Sequence, residues 1–127
     1  MQGKKILILD DEKEICFLLS ALLRQMGHYP DQAYTINQAM NKFQQNIYDL
    51  VFLDLNLPDG LGHHLVPEIK RHNPLSKIIM ISAHDGMLKQ LEAEINDIDF
   101  YIYKPFNRKT ISEAFLELNM MKEPDNH

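Results

Sequence analysis

Four short apolar runs punctuate the chain, and each stops on a polar residue. Lys5-Ile6-Leu7-Ile8-Leu9 is followed by Asp10 and Asp11, and Leu50-Val51-Phe52-Leu53 by Asp54. Lys77-Ile78-Ile79-Met80-Ile81 stops on Ser82, and Phe100-Tyr101-Ile102-Tyr103 on Lys104. Runs of this length, rich in Ile, Leu and Val and without alternation, predict strands buried on both faces of a parallel sheet. A fifth, poorer strand is predicted near His28 to Ala33. Its Pro30 has no N–H to give a ladder, which places it at an edge.

Between the strands the period becomes helical. Glu14 to Met26 carries Ile15, Leu18, Leu19, Leu22 and Leu23 on one face and stops at Gly27, a usual helix terminator. Thr35-Ile36-Asn37-Gln38 matches a capping box and opens a helix with Ala39, Met40 and Phe43 inward. A third helix is expected from about Gly62 to Arg71, with Leu65 and Ile69 toward the core; Pro67 is tolerable there only in a first turn. Asp85 is expected to cap a fourth, with Met87, Leu88, Leu91 and Ile95 on its apolar stripe. Asn107 caps a fifth, with Ile111, Phe115 and Leu118 inward. A strand–helix unit repeated five times predicts an α/β fold, a doubly wound parallel sheet with right-handed crossovers and helices on both faces.

The chain has 127 residues, enough for one domain with a real core, and 45% of them are hydrophobic. The expected division is one domain over 1–122 and a short polar tail over 123–127. A net charge of −5 argues against direct binding to nucleic acid or anionic membrane, since both need a cationic face. No apolar run approaches the roughly 18 residues that span a bilayer. The first residues lead straight into a strand and leave no room for a signal peptide. A soluble, cytoplasmic protein is expected. Cys16 is the sole cysteine, so no intrachain disulfide forms, and its apolar helical setting predicts a small core residue. Of the six histidines, His28, His63, His64 and His72 read as solvated surface residues; His63 and His64 are adjacent and cannot share a helix face.

Parallel strands deliver their carboxyl ends to one edge, where open α/β sheets bind ligands. Asp10, Asp11, Asp54, Ser82 and Lys104 therefore converge. A phosphoryl group in transfer is anionic, so its chemistry is mostly positioning and charge neutralisation. A carboxylate that attacks it needs a cation between the two anions. Asp10, Asp11 and Asp54 form an all-oxygen set suited to Mg²⁺. Lys104 adds a second, mobile positive charge, and the Ser82 hydroxyl can donate to a phosphoryl oxygen. Any one of these aspartates alone would read equally well as a helix cap.

Taken in order, these motifs resemble the receiver domains of two-component response regulators. They are Asp10-Asp11, Asp54, Ser82-Ala83, Lys104-Pro105-Phe106 and the loop Asp54-Leu55-Asn56-Leu57-Pro58-Asp59-Gly60-Leu61-Gly62. The resemblance covers essentially the whole chain and implies the flavodoxin-like strand order 2-1-3-4-5 with five helices. It assigns Asp54 as phosphoacceptor, with Asp11 binding metal directly, Asp10 mainly through water and Asn56 through its backbone carbonyl. It makes the Lys104–Pro105 peptide bond cis and Tyr101 the aromatic switch that follows Ser82. Asn56 and His84 become modulators of dephosphorylation. The implied partners are a histidine kinase or histidine phosphotransfer protein and a downstream output domain or protein.

The sequence departs from the family at Asp97-Ile98, where receivers usually carry Gly-Ala. Acidic Glu92, Glu94, Asp97 and Asp99 cluster there, on the face commonly used for partners. Two alternatives stay open: a small phosphohydrolase of the haloacid-dehalogenase type, with Asp10 as nucleophile and Glu12 as second acid, and a phosphorylation-independent binding module.

Overall fold

The computed structural model describes residues 3–83 and 85–119, except for the side chains at positions 85, 87, 88, 92 and 93. In chain order it forms β1 (Lys5–Leu9), α1 (Lys13–Gln25), β2 (Tyr29–Ala33), α2 (Ile36–Gln45) and β3 (Leu50–Asp54). Two two-residue strands follow, β4 (Asn56–Leu57) and β5 (Gly60–Leu61), then a 3₁₀ turn (Gly62–Leu65) and α3 (Val66–His72). The chain continues with β6 (Lys77–Ser82), α4 (Asp85–Glu94), β7 (Phe100–Tyr103) and α5 (Arg108–Glu117). The main sheet is parallel with order β2-β1-β3-β6-β7. Numbered by its own strands this is 2-1-3-4-5, as the resemblance implies.

The apolar runs do not alternate because both faces of the sheet are covered. Ile6 and Ile8 join Phe52, Ile79, Ile81 and Phe115 in one cluster, under α1 and α5. Leu7 and Leu9 point the other way and join Val51, Leu53, Met80 and Phe43, under α2, α3 and α4. Pro30 lies on the edge strand as expected. Tyr29 donates its N–H to the Lys4 carbonyl and Ala33 accepts from Asp10, so the intervening Pro30 turns its missing donor outward.

Helix ends follow local chemistry. At the end of α1, His28 N–H reaches the Leu23 carbonyl and Gly27 N–H that of Arg24, with Gly27 at φ 89°. This paired closure needs a left-handed residue, which glycine supplies without strain. Asn107 caps α5 in a complete box with Thr110. Pro67 sits in the first turn of α3 because that helix begins at Val66, after the 3₁₀ turn, rather than at Gly62.

Several expectations need correction. Leu18 is 45% exposed, whereas Leu19 and Leu23 are buried as expected, Leu22 packs against the core, and Cys16 and Ser20 complete the buried face of α1. Thr35 caps α2 by accepting from Gln38 N–H, but the Gln38 side chain returns to Tyr34 N–H rather than to the cap itself. Asp85 lies within α4; its capping role and the inward packing of Met87 and Leu88 rest on side chains outside the described residues, whereas Leu91 is buried and Ile95 packs on the core. The tail at 123–127 lies outside them too.

His28 is not solvated. It is buried, accepts the Lys4 N–H at Nδ1 (2.9 Å) and meets Phe115 edge-on. His72 stacks on Phe43, with Nε2 3.4 Å from Glu68. His63 and His64, neighbours in the 3₁₀ turn, touch through their rings, 4.4 Å between centroids. At the departure from the family, α4 ends at Glu94, and Asn119 is the only described non-glycine residue with positive φ. Asp97 therefore needs no left-handed backbone. Ile98 fills the core and the Asp99 carboxylate accepts the Ile78 N–H.

Candidate functional site

The carboxyl ends of β1, β3, β6 and β7 bring the expected residues together. Asp54 is the last residue of β3 and Ser82 the last of β6. Asp10 and Asp11 follow β1, and Lys104 follows β7. Oxygens of Asp10, Asp11 and Asp54 lie within 4.8 Å of one another, with Asp11 exposed and the other two buried. It is the only such group among the described residues. Three hard carboxylates at that spacing, one open to solvent, can hold a divalent cation such as those that prefer oxygen ligands.

Lys104 reaches into the cluster. Its Nζ is 2.9 Å from Asp10 Oδ2 and 3.7 Å from Asp54 Oδ2. A third acid completes its shell: Glu12 Oε1 lies at 2.7 Å. Sequence reasoning placed Glu12 only in the haloacid-dehalogenase alternative; its contact with a residue 92 positions away is a product of the fold. The Lys104–Pro105 bond is cis, and the Lys104 N–H donates to the Ser82 carbonyl, tying the ends of β6 and β7 together.

The electrostatics follow from crowding anions in a half-dry crevice. Burial, then the neighbouring Asp10 charge, pushes the Asp54 carboxyl up to about 7. Burial also raises Asp10, against the pull of Lys104 and the Glu12 N–H. For Lys104, burial disfavours the ammonium, but hydrogen bonds to Glu12 and Asp10 outweigh it and hold the amine well above its usual range. Cys16 donates Sγ–H to the Asp10 carbonyl and is pushed up to about 12 by burial and Asp10, so it is a thiol of the core.

The loop after Asp54 is built to lie close against it. A Cβ at Gly62 would meet the Asp54 carbonyl oxygen at 2.0 Å, so only glycine fits there. Gly62 N–H donates to Leu55, and β4 pairs with β5 in a small ribbon that holds Asn56 exposed beside the crevice. Asn56 N–H points to Asp54 Oδ1 at 3.4 Å. Asp59, at the ribbon's turn, anchors the loop by accepting Ile36 and Asn37 N–H groups at the start of α2. That contact was missed, although Pro58-Asp59-Gly60 is a turn signal. Ser82 is fully buried, and Tyr101 is half-buried with its ring on the core. His84 lies outside the described residues.

A parallel sheet with an acidic crevice and an inserted ammonium at its carboxyl edge defines a phosphoacceptor module. The response regulator receiver domain model matches residues 6–116, and the chain belongs to that family. It is a signalling phosphoacceptor rather than an enzyme acting on a separate substrate. The transcriptional regulatory protein LytR of Staphylococcus aureus is 34% identical over 125 residues, 97% of this chain and 50% of LytR. A two-component response regulator from Clostridium difficile shares the fold at TM-score 0.79 and 30% identity, over 96% of this chain and 100% of that one. The BeF3-activated DrrB receiver domain does so at 0.76 and 28%, over 93% and 99%. The chain spans about half the length of curated relatives such as LytR. No helix among the described residues is long and apolar enough to cross a membrane.

Proposed function

We propose that Asp54 accepts a phosphoryl group from a histidine kinase or histidine phosphotransfer protein, with Mg²⁺ held by Asp10, Asp11, Asp54 and the Asn56 backbone carbonyl. The observation that carries this is one crevice in which Asp54 shares a carboxylate cluster with Asp10 and Asp11 and lies 3.7 Å from the Lys104 ammonium. Bound Mg²⁺ supplies charge that relieves the repulsion between the carboxylate and the incoming phosphoryl oxygens. Asp54 Oδ2 attacks phosphorus, an O–P bond forms, and the bond from phosphorus to the donor imidazole nitrogen breaks with its electron pair. Lys104 moves from the carboxylates to a phosphoryl oxygen, and Ser82 donates its hydroxyl to another. The resulting acyl phosphate shifts the balance between two surface conformations through Ser82 and Tyr101. Kinase, output domain and target are those of a longer regulatory pathway, for which LytR offers the analogy. Residues 1–122 are read as the receiver and 123–127 as a short polar tail.

Glu12, the second acid of the phosphohydrolase alternative, is engaged by Lys104 instead. Titration with beryllofluoride and Mg²⁺, followed by amide NMR, tests the reading. Saturable shifts at Asp54, Ser82 and Lys104, lost in Asp54→Asn, are expected. Equal shifts in that variant would refute it.

A further inference from the structure

Three carboxylates pair with Lys104 among the described residues, and they are not equivalent. Asp10 and Asp54 belong to the cluster that can take a cation; Glu12 does not. Glu12 is also the shortest contact, 2.7 Å against 2.9 Å and 3.7 Å. It sits at the rim, 59% exposed, while the Lys104 side chain is 11% exposed. Its own N–H donates to Asp10 Oδ1 at 2.9 Å, which fixes the backbone of this residue to the cluster floor.

A divalent cation on the triad would draw on the same oxygens that Lys104 uses and would repel the ammonium. Lys104 then needs an anion outside the metal set, or it swings into water. We propose that Glu12 is a positioning residue: it holds the Lys104 ammonium at the mouth of the crevice while the triad is occupied, ready to meet a phosphoryl oxygen on Asp54. This rests on the phosphoacceptor reading above. Glu12 itself touches neither the phosphoryl group nor the metal. Its effect passes through Lys104, so a charge-only explanation and a positioning one separate when Lys104 is removed.

The test compares wild type, Glu12→Gln, Lys104→Met and the double variant at saturating Mg²⁺, with phosphoramidate as donor. Glu12→Gln is expected to slow phosphorylation of Asp54 about three- to tenfold, the scale of one partly exposed charge-assisted hydrogen bond. In the Lys104→Met background the same change is expected to matter less than about twofold. A second readout does not depend on reaction: the ¹H–¹⁵N signal of the Lys104 ammonium is expected with Mg²⁺ in wild type and lost to solvent exchange in Glu12→Gln. An equal slowing in both backgrounds, or an ammonium signal that survives in Glu12→Gln, overturns the proposal. A wild type that takes no phosphoryl group overturns the underlying reading, whereas phosphorylation at wild-type rate in Glu12→Gln overturns this one alone.

Discussion

Replacing Asp54 by Asn in metal-free protein isolates the electrostatic tension of the resting site. Asp54 is 5% exposed and its carboxyl is pushed up to about 7 from 3.8, by burial first and the Asp10 charge second. Between those pH values the native state keeps a proton that the unfolded chain has released. Stability therefore falls as pH rises: the contribution is complete below about 3.8 and lost through about 7. At 1.36 kcal/mol per pH unit the full interval is worth roughly 4 kcal/mol. Water in the open crevice screens part of this, leaving roughly 1–3 kcal/mol. Asn keeps the volume and sheds the charge, and Lys104 retains Asp10 and Glu12. Urea unfolding in EDTA is the assay. Asp54→Asn is expected to match wild type near pH 4 and exceed it by that margin at pH 8, about 3–12 °C in Tm. Mg²⁺ at ten times its Kd then restores about 1.4 kcal/mol to wild type and less to the variant. A gap that ignores pH, or a variant no more stable at pH 8, would refute the reasoning.

Asp11→Ala is expected to weaken Mg²⁺ more than tenfold by calorimetry, since it removes the exposed ligand of a site with few protein ligands; unchanged affinity would count against the site. In the beryllofluoride complex the Tyr101 ring, now half-buried, is expected to become more buried as Ser82 is drawn toward the phosphoryl mimic. Unaltered ring-proton shifts at saturation would sink that coupling. His28 gives a pH dependence of opposite sign to Asp54. Burial, then the Lys4 charge, lowers it below 6.5, so the stability it contributes is present above 6.5 and lost as pH falls below. Histidine NMR should show the His28 ring titrating below 6.5, and a His28 ring that titrates at or above 6.5 would contradict its burial.

The strands and the gathering of Asp10, Asp11, Asp54, Ser82 and Lys104 at one sheet edge were legible because each of these residues lies where an apolar run ends, a signal local in sequence; the strand order came instead from the family resemblance. The helix faces were less so: Leu19 and Leu23 of α1 turn inward as their spacing suggests, but Leu18 beside them is 45% exposed, because packing against the sheet rather than periodicity sets the edge of the buried stripe. Partners distant in sequence left no trace. Glu12 meets Lys104, and Asp59 meets the start of α2, only because parallel strands and a folded-back ribbon bring them together. His28 failed for a related reason: a histidine after a helix-ending glycine looks like a loop residue until Phe115 covers it.

The central claim is tested most directly by locating a phosphoryl group. Wild-type protein, incubated with acetyl phosphate and Mg²⁺, should gain one phosphoryl mass that hydroxylamine removes, and peptide mapping should place it on Asp54. Asp54→Asn should gain none. A hydroxylamine-stable adduct on serine or histidine, or equal labelling of the variant, would contradict the account.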